Sequence, residues 1–209
     1  MDSLAADPAD ADRRAAFDAA ARAVGMDPAG PWAGGYAAYE WEHLRPVLCA
    51  YGVVLARLGA TVTGVDVDPG MVRVANANFA LKAVEQQARA IHVADTRTMP
   101  FPDGHFDLAL ANSVLEYVDP AHLDAVVREL HRVVKPGGHA LILGTASRLA
   151  PREVHSRRWL TNYVPRALDG LFRKPPQRGL SPLALRRSLQ GRFAVRRGGQ
   201  WLAARGAVH

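Results

Sequence analysis

Three short runs of apolar and β-branched residues in this chain each end at a polar residue. The first run, Thr61–Asp66, ends on an aspartate; the second, Ala90–Ala94, is followed by Asp95, and the third, Phe106–Ala111, by Asn112. Runs of this length and composition are typical of β-strands. In open parallel sheets, ligands bind just outside the carboxyl ends of the strands. The pattern therefore predicts a binding site where these strands end.

Helical patterns alternate with the strands. Asp68 and Pro69 are a typical N-cap and first helical residue, and they predict a helix that runs to about Val84. Asp119 and Pro120 predict the start of another helix. Alternating strands and helices form parallel sheets through right-handed crossovers, so the predicted fold class is α/β, with a Rossmann-like, doubly wound and mostly parallel sheet. The second helix carries an apolar stripe of Leu123, Val126, Val127, Leu130, Val133 and Val134.

The C-terminal part of the chain carries further strand signals. Lys135–Gly138 predicts the end of the striped helix, and His139–Gly144 predicts one more strand. Two later β-like runs, Arg192–Arg197 and Gln200–Val208, flank Gly198–Gly199, which favours a hairpin turn. The sheet is therefore predicted to finish in an antiparallel hairpin.

Proline and glycine divide the chain into segments. Residues 1–43 are predicted to be a helical and aromatic lead-in, broken at Asp27–Pro31. The α/β domain is predicted to span residues 44–209. Within it, the irregular, Arg-rich segment 147–180 is a candidate lid over a substrate.

Length and composition place bounds on the class of protein. A chain of 209 residues can bury one sizeable core, and it has no run of 18 apolar residues that would predict a membrane span. The N-terminus is acidic, unlike a secretory signal, and Cys49 is the single cysteine, so no internal disulfide can form. Together these features predict a cytoplasmic protein without a transmembrane segment.

The net charge of +6 hides a strong asymmetry. Residues 1–147 contain 12 Lys or Arg against 18 Asp or Glu, whereas residues 148–209 contain 14 against 2. A field of this kind attracts phosphates, acidic lipids or nucleic acid, so an acidic or amphipathic substrate is a candidate partner of this region. Coding bias is the alternative explanation, because only three of the 26 basic residues are Lys.

Two carboxylates at successive strand ends suit a nucleoside. Asp66 can accept hydrogen bonds from both hydroxyls of a ribose, and Asp95 can accept one from an adenine amino group. Taken singly, either residue could equally cap its own loop. Both together, one strand apart, favour nucleoside binding.

The same region resembles the class I S-adenosylmethionine-dependent methyltransferases, in the small-molecule group related to the ubiquinone/menaquinone methylases. The resemblance covers roughly Val53 to the C-terminus, and the order of the matching sequence segments makes it specific. The matching segments are Thr63–Pro69, Ala94–Thr96, Met99–Asp107, Ala111–Val118 and Leu130–Gly138.

The resemblance implies S-adenosyl-L-methionine as cofactor and a small molecule as methyl acceptor, with no metal. It implies that Asp66 holds the ribose hydroxyls and that Val67 packs on the adenine. Asp95, helped by Thr96, would meet the adenine amino edge, and the backbone around Asn112 would face the methionine part. Other matching positions are implied to be structural (Phe101, Phe106 and Asp107) or surface groups on a helix (His131 and Lys135).

One part of the family pattern is missing. Family members carry a strand and a Gly-x-Gly-x-Gly turn before the helix that leads to the ribose aspartate. Here Ala50–Gly52 runs directly into Val53–Gly59, which matches that helix. The fold is therefore predicted to lack the usual first central strand, which would leave a gap of about 10 Å between its neighbours. Weak or absent cofactor binding is the hypothesis that follows.

No catalytic residue is assigned, because methyl transfer depends largely on positioning. The predicted function is methyl transfer to a small-molecule acceptor. A catalytically inactive binding protein is the alternative, and an RNA methyltransferase that uses the basic region is less favoured because no RNA-binding module is recognisable. A dehydrogenase is disfavoured because no Gly-x-Gly-x-x-Gly precedes the first aspartate. Candidates to line an acceptor pocket, each with ordinary packing as the alternative, are Tyr36, Tyr39, Glu116, Tyr117, His155, Trp159 and Tyr163.

Overall fold

A computed structural model describes residues 8–28, 50–112, 114–143, 149, 159–160, 163–165, 168, 179–197 and 201–206. The chain divides into two compact units, Met1–Asp95 and Thr96–His209. The N-terminal unit contains helices α1 (Pro8–Ala23), α2 (Ala50–Arg57) and α3 (Pro69–Leu81) and strands β1 (Val62–Asp66) and β2 (Ala88–His92). The C-terminal unit contains β3 (Phe106–Asn112), a 3-10 turn (Leu115–Tyr117), α4 (Leu123–Val133), β4 (Val134–Leu143), α5 (Pro182–Leu189), β5 (Ala194–Arg197) and β6 (Trp201–Ala204).

In the N-terminal unit, β1 and β2 pair in parallel from Val62↔Ala88 to Asp66↔His92. Helix α3 begins where the sequence predicts, because the Asp68 carboxylate accepts a hydrogen bond from the Gly70 amide at 2.7 Å. The helix ends at Leu81, three residues before the predicted end. The core of this unit consists of Val53, Ala56, Phe79, Val84 and Ala88.

Part of the predicted lead-in forms helix α1, which is packed against the rest of the N-terminal unit. Phe17 and Ala21 are buried, and the Arg13 guanidinium lies 3.6 Å from the Glu85 carboxylate. A Cβ built on Gly70 would lie 2.5 Å from Val24 Cγ1, so the end of α1 approaches α3 closely. The domain boundary at residues 43 and 44 stays a prediction, since residues 29–49 lie outside the described ranges.

The second strand lies earlier than predicted. It spans Ala88–His92 instead of Ala90–Ala94, so Asp95 stands just before a turn, three residues past the strand and not directly at its end. The strand covers the residues that pair with β1, from Ala88 opposite Val62 to His92 opposite Asp66. The Asn76 side chain of α3 donates to the Ala90 carbonyl at 2.9 Å and accepts from the Ala90 amide at 2.8 Å. These bonds hold the middle of β2 against α3.

In the C-terminal unit, the strand order is β3-β4-β6-β5. β3 pairs with β4 in parallel, and β6 pairs antiparallel with both β4 and β5. The parallel pairs and the terminal antiparallel pair confirm the α/β fold class; the predicted turn at Gly198–Gly199 lies outside the described residues. The core groups apolar residues of the strands with those of α4 and α5, among them Leu123, Val127, Ala140, Ile142, Leu185 and Leu189.

Two boundaries around α4 were predicted wrongly. The helix begins at Leu123, because Asp119 instead accepts a hydrogen bond from the Ala121 amide at 2.8 Å and closes a separate turn. At the other end, β4 begins at Val134, directly after the helix, so Lys135 lies on a strand and not on a helix. The Lys135 ammonium pairs with the Asp107 carboxylate at 2.8 Å.

His131 also differs from its predicted role as a surface group. It lies in the last turn of α4, and its ring stands edge-on to Phe193 with centroids 5.2 Å apart. Burial lowers the pKa of His131 from its ordinary value, and the nearby charges of Arg205 and Arg192 lower this pKa further. The residue therefore belongs to the packing between α4 and the C-terminal segment.

The missing first central strand stays a prediction. Among the described residues, β1 pairs with a strand on one edge, towards β2, and β3 likewise on one edge, towards β4. Residues 29–49 are not described, so they do not test it. None of the described helices combines the length and the apolarity of a membrane span.

Gly138 is expected to tolerate no side chain. A Cβ there would lie 2.8 Å from the Asp107 carbonyl oxygen, 2.9 Å from Val134 Cγ1 and 3.0 Å from the Lys135 carbonyl oxygen. We expect Gly138→Ala to lower the free energy of unfolding by about 2 kcal/mol, because strand backbone must move. Urea denaturation would measure the loss. Gly206→Ala is the matched control, since nothing lies within 4 Å of its Cβ; equal stability of the two variants would contradict the steric argument.

Candidate functional site

The loop after β1 is held by hydrogen bonds on both sides of Asp66. Its Oδ1 accepts from the Asp68 amide at 2.8 Å, and its carbonyl accepts from the Val93 amide at 3.0 Å. Asp68 in turn caps α3. A carboxylate offers about four acceptor positions, so Asp66 keeps capacity for two further donors. The loop thus presents a fixed carboxylate at the carboxyl end of β1.

Val67 follows Asp66 in this loop and is 55% exposed. The Nε2 atom of His92 lies 3.1 Å from the Val67 carbonyl oxygen. His92 is the last residue of β2 and is in register with Asp66. The sequence analysis gave His92 no role, although a polar residue at a strand end was a signal for it. It steadies a loop that offers an apolar side chain to solvent.

Asp95 follows the same sheet edge, because β1 and β2 are parallel and their carboxyl ends lie side by side. It is the last residue of the N-terminal unit, and Thr96 is the first residue of the C-terminal unit. Both are half-buried in the turn region after β2. Asp66, Val67 and Asp95 are therefore brought to one edge. Their predicted contacts with an adenosine stay predictions.

A brace between α4 and the loop that precedes β3 was missed by the sequence analysis. Arg132 donates to the carbonyls of Phe101 at 2.8 Å and Met99 at 3.1 Å, and to the Asp103 carboxylate at 2.7 Å. Glu129, which is buried, accepts from the Met99 amide at 2.6 Å and from two nitrogens of Arg132 at 2.6 and 2.8 Å. We call this set of contacts the Glu129–Arg132 brace. It fixes the backbone three residues after Thr96.

The charge of the brace is stabilised internally. Hydrogen bonds from Arg132 hold the pKa of Glu129 below its ordinary value, with the Met99 amide adding to this effect. Burial and the nearby Asp103 oppose it. An Arg and a Glu three residues apart on a helix were the available signal, but nothing local indicates which loop they reach.

Asn112 ends β3 in the C-terminal unit, as predicted. Its Oδ1 atom is buried and has no hydrogen-bond partner among the described residues. Buried acceptors are usually satisfied, so this oxygen suits a donor supplied by a ligand or by water. Four residues later, Glu116 is 7% exposed, whereas the neighbouring Tyr117 is 59% exposed. Of these two acceptor-pocket candidates, only Glu116 is enclosed.

The remaining acceptor-pocket candidates are surface residues or fall outside the description. Tyr36, Tyr39 and His155 lie outside the described residues, as does most of the predicted lid at 147–180. Trp159 and Tyr163 are exposed, and the Tyr163 hydroxyl donates to the Leu149 carbonyl at 2.8 Å. The two described aromatics therefore face solvent.

A small pocket also lies in the N-terminal unit. Its volume is about 30 Å³, which is room for a water molecule and not for a cofactor. Within the described ranges, no group of three His, Cys, Asp or Glu side chains is placed to hold a metal. The pocket is lined by Gly64, Val65, Asp66, Met71, Val72, Ala75, Phe79 and Ala90.

Comparison with known proteins places these residues in a family. A family profile described as a methyltransferase domain matches residues 49–142. The sterol 4-C-methyltransferase strm-1 of Caenorhabditis elegans is 35% identical over 106 residues, which are 49% of this chain and 31% of that protein. The ubiquinone/menaquinone biosynthesis C-methyltransferase UbiE of Cupriavidus necator is 35% identical over 78 residues, 37% of this chain and 30% of that protein.

A solved structure supports the fold. A protein of Methanosarcina mazei described as a SAM-dependent methyltransferase superposes with a TM-score of 0.58 at 19% identity, over 75% of this chain and 87% of that one. The chain spans less than half the length of the curated relatives it matches. The matched profile, the relatives and the ordered strand-end residues agree, and they support the resemblance of this chain to the class I S-adenosylmethionine-dependent methyltransferases, in the group related to the ubiquinone methylases.

Proposed function

We propose that this protein transfers the methyl group of S-adenosyl-L-methionine to a small-molecule acceptor. The observation that carries the proposal is the loop after β1, in which hydrogen bonds to both the carboxylate and the carbonyl of Asp66 hold the residue in place. In the family this position binds the ribose of the cofactor. Similarity to the family supports the reaction type, and nothing in the described residues specifies the acceptor.

The residues present fit the adenosine part of the cofactor. Asp66 would accept from the ribose hydroxyls, the exposed Val67 would pack on the base, and Asp95 with Thr96 would meet its amino edge. Asn112 offers a buried oxygen without a partner among the described residues, a suitable acceptor for the α-ammonium group. When bound, the cofactor supplies an electrophilic methyl group. The chain's own contribution is to hold and orient it, because positioning dominates this displacement.

The residues present fit the amino-acid end of the cofactor less well. Between Ala50 and Thr61 the sequence runs through α2 into β1 and contains no Gly-x-Gly-x-Gly turn. Such a turn lets backbone amides approach the ligand. This departure favours a second candidate function, a methyltransferase-like protein that binds a partner without catalysis. The basic C-terminal region by itself does not favour an RNA substrate.

Calorimetric titration with S-adenosylmethionine and S-adenosylhomocysteine tests the proposal. We expect a dissociation constant in the micromolar to submillimolar range, about where enzymes bind their substrates. Turnover would then be sought with labelled cofactor against sterols, quinol precursors and small amines, the first two because two relatives carry those names. Absence of binding at millimolar cofactor would reject the enzyme and support the inactive alternative.

A further inference from the structure

The backbone of Val67 is held by a side chain of the neighbouring strand. The Nε2 atom of His92 lies 3.1 Å from the Val67 carbonyl oxygen. Because a carbonyl oxygen accepts and does not donate, Nε2 carries a proton and is the donor. The contact therefore assigns the tautomer of a neutral His92 ring, with its proton on Nε2 and not on Nδ1.

The residues on either side of Val67 are anchored in a different way. The Asp66 carbonyl accepts from the Val93 amide at 3.0 Å, and its Oδ1 accepts from the Asp68 amide at 2.8 Å. Asp68 in turn caps α3. The donors in these contacts are backbone amides, which a side-chain replacement does not remove. The contact to Val67, in contrast, depends on a single imidazole.

His92 is placed to act on this loop without a role in the core. It is the last residue of β2, stands opposite Asp66 in the parallel register, and is exposed. All of these residues lie in the N-terminal unit. Loss of an exposed ring leaves no cavity, so replacement of His92 is expected to affect the loop and to leave the stability of the unit almost unchanged.

We propose that His92 is a positioning residue that holds Val67 in place for the adenine base. The inference rests on the proposed function, which assigns the packing on the base to Val67 and the ribose to Asp66. Val67 is 55% exposed, so packing within the described structure does little to fix it. A loop that is ordered before the ligand arrives loses less conformational entropy on binding, and the affinity is higher for that reason.

Adenosine is the probe of this role, because it carries the base and the ribose but no amino-acid group. Calorimetric titration compares the unmodified protein with His92→Asn and His92→Gln. The side-chain nitrogen of glutamine lies about where Nε2 lies in histidine, whereas that of asparagine lies near the position of Nδ1 and does not reach the carbonyl. We expect His92→Asn to bind adenosine about fivefold more weakly, the effect of one hydrogen bond, and His92→Gln to restore most of the affinity.

A double-mutant cycle shows whether His92 acts through Val67. We expect Val67→Ala to lower the affinity for adenosine about tenfold through lost apolar contact. The double variant with His92→Asn should then bind no more weakly than Val67→Ala alone, because the residue that His92 holds no longer packs on the base. A histidine that touched the ligand directly would give losses that add.

The ribose supplies a second readout. Asp66 has anchors of its own, so discrimination against 2′-deoxyadenosine should persist in His92→Asn. Arg89→Gln replaces another exposed residue of β2 and is the matched control, with unchanged affinity expected. Circular dichroism confirms that each variant is folded. Unchanged affinity in His92→Asn, additive losses in the cycle, lost discrimination against the deoxynucleoside, or an equal loss in Arg89→Gln would overturn the inference.

Titration with S-adenosylhomocysteine separates this inference from the proposed function. If adenosine shows the expected pattern while S-adenosylhomocysteine does not bind at millimolar concentration, the proposed methyl transfer fails and the role of His92 stands. If S-adenosylhomocysteine binds and His92→Asn weakens neither ligand, the role of His92 fails and the methyl transfer stands. Absence of binding by both ligands would overturn both.

Discussion

Replacing Asp66 by alanine is expected to weaken the binding of S-adenosylhomocysteine by at least about 100-fold. Both ribose hydroxyls would lose the carboxylate that accepts their hydrogen bonds, and hydrogen bonds to a charged group contribute about 1.5–3 kcal/mol each. Asp66→Asn should lose less, because an amide oxygen still accepts but carries no charge. Calorimetric titration of the three proteins measures the difference.

The ribose contact predicts a specific signature in this experiment. The unmodified protein should discriminate against a 2′-deoxy analogue of the cofactor, whereas Asp66→Ala should bind both ligands with similar, low affinity. Asp107→Ala is a matched control, because its carboxylate is exposed and pairs with Lys135. Equal losses in Asp66→Ala and Asp107→Ala, or continued discrimination by Asp66→Ala, would reject the ribose role.

Removal of Arg132 is expected to cost the largest amount of stability in the C-terminal unit. Arg132→Ala removes the guanidinium that pairs with buried Glu129 and the donors to the loop carbonyls of Met99 and Phe101. Breaking a buried pair from one side costs about 3 kcal/mol or more, because a charge is left without its partner. Urea denaturation followed by circular dichroism would measure the loss.

The same pair predicts a pH dependence. The folded-state pKa of Glu129 is lowered, so its contribution to stability is present above the ordinary glutamate pKa of about 4.3 and is lost as the pH falls through the lower, folded-state value. In Arg132→Ala this part of the profile should flatten. Measurement of unfolding free energy from neutral to acidic pH in both proteins tests the sign.

Two variants serve as controls for the Glu129–Arg132 brace. Asp103→Ala removes only an 81% exposed partner of Arg132 and should cost less than about 1 kcal/mol. Arg132→Lys keeps the charge but cannot reach several acceptors at once, so an intermediate loss is expected. A loss in Asp103→Ala as large as in Arg132→Ala would place the energy in the exposed pair and contradict the assignment to buried Glu129.

Cofactor affinity adds a further readout for the brace. The brace fixes the backbone beginning at Met99, three residues after Thr96. If Thr96 contacts the adenine, Arg132→Lys should lower affinity for S-adenosylhomocysteine while leaving the Asp66-dependent discrimination against the 2′-deoxy analogue in place.

Much of the fold followed from local signals. Asp68 and Pro69 start α3 as predicted, because capping acts on amides within two or three residues. β1 and β3 end at Asp66 and Asn112, as the polar residues after apolar runs indicated. The candidate residues Asp66, Val67 and Asp95 at one sheet edge followed from strand order alone, since parallel strands present their carboxyl ends together.

Local signals failed at three element boundaries. β2 lies two residues earlier than predicted because its pairing with β1 begins at Ala88 and ends at His92. Asp119 is a plausible cap by its type, yet it closes its own turn and α4 starts later. Lys135 belongs to a strand because β4 follows the helix without a loop.

By itself, the sequence determined the alternation of strands and helices, the resemblance to a methyltransferase family, and the candidate aspartates that follow two of the strands. Periodicity, capping and strand-end chemistry act over a few residues and are readable along the chain. Only the tertiary structure decided that Glu129 and Arg132 hold the loop after Thr96, that α1 packs on α3, and that Arg205 binds the end of α4. Such contacts join residues about thirty to seventy positions apart. Many arginines of the chain have the same charge and side-chain length, so the sequence does not indicate which of them makes each contact. Folding selects which of them are used, because only a few can bury their hydrogen bonds without leaving an acceptor unsatisfied.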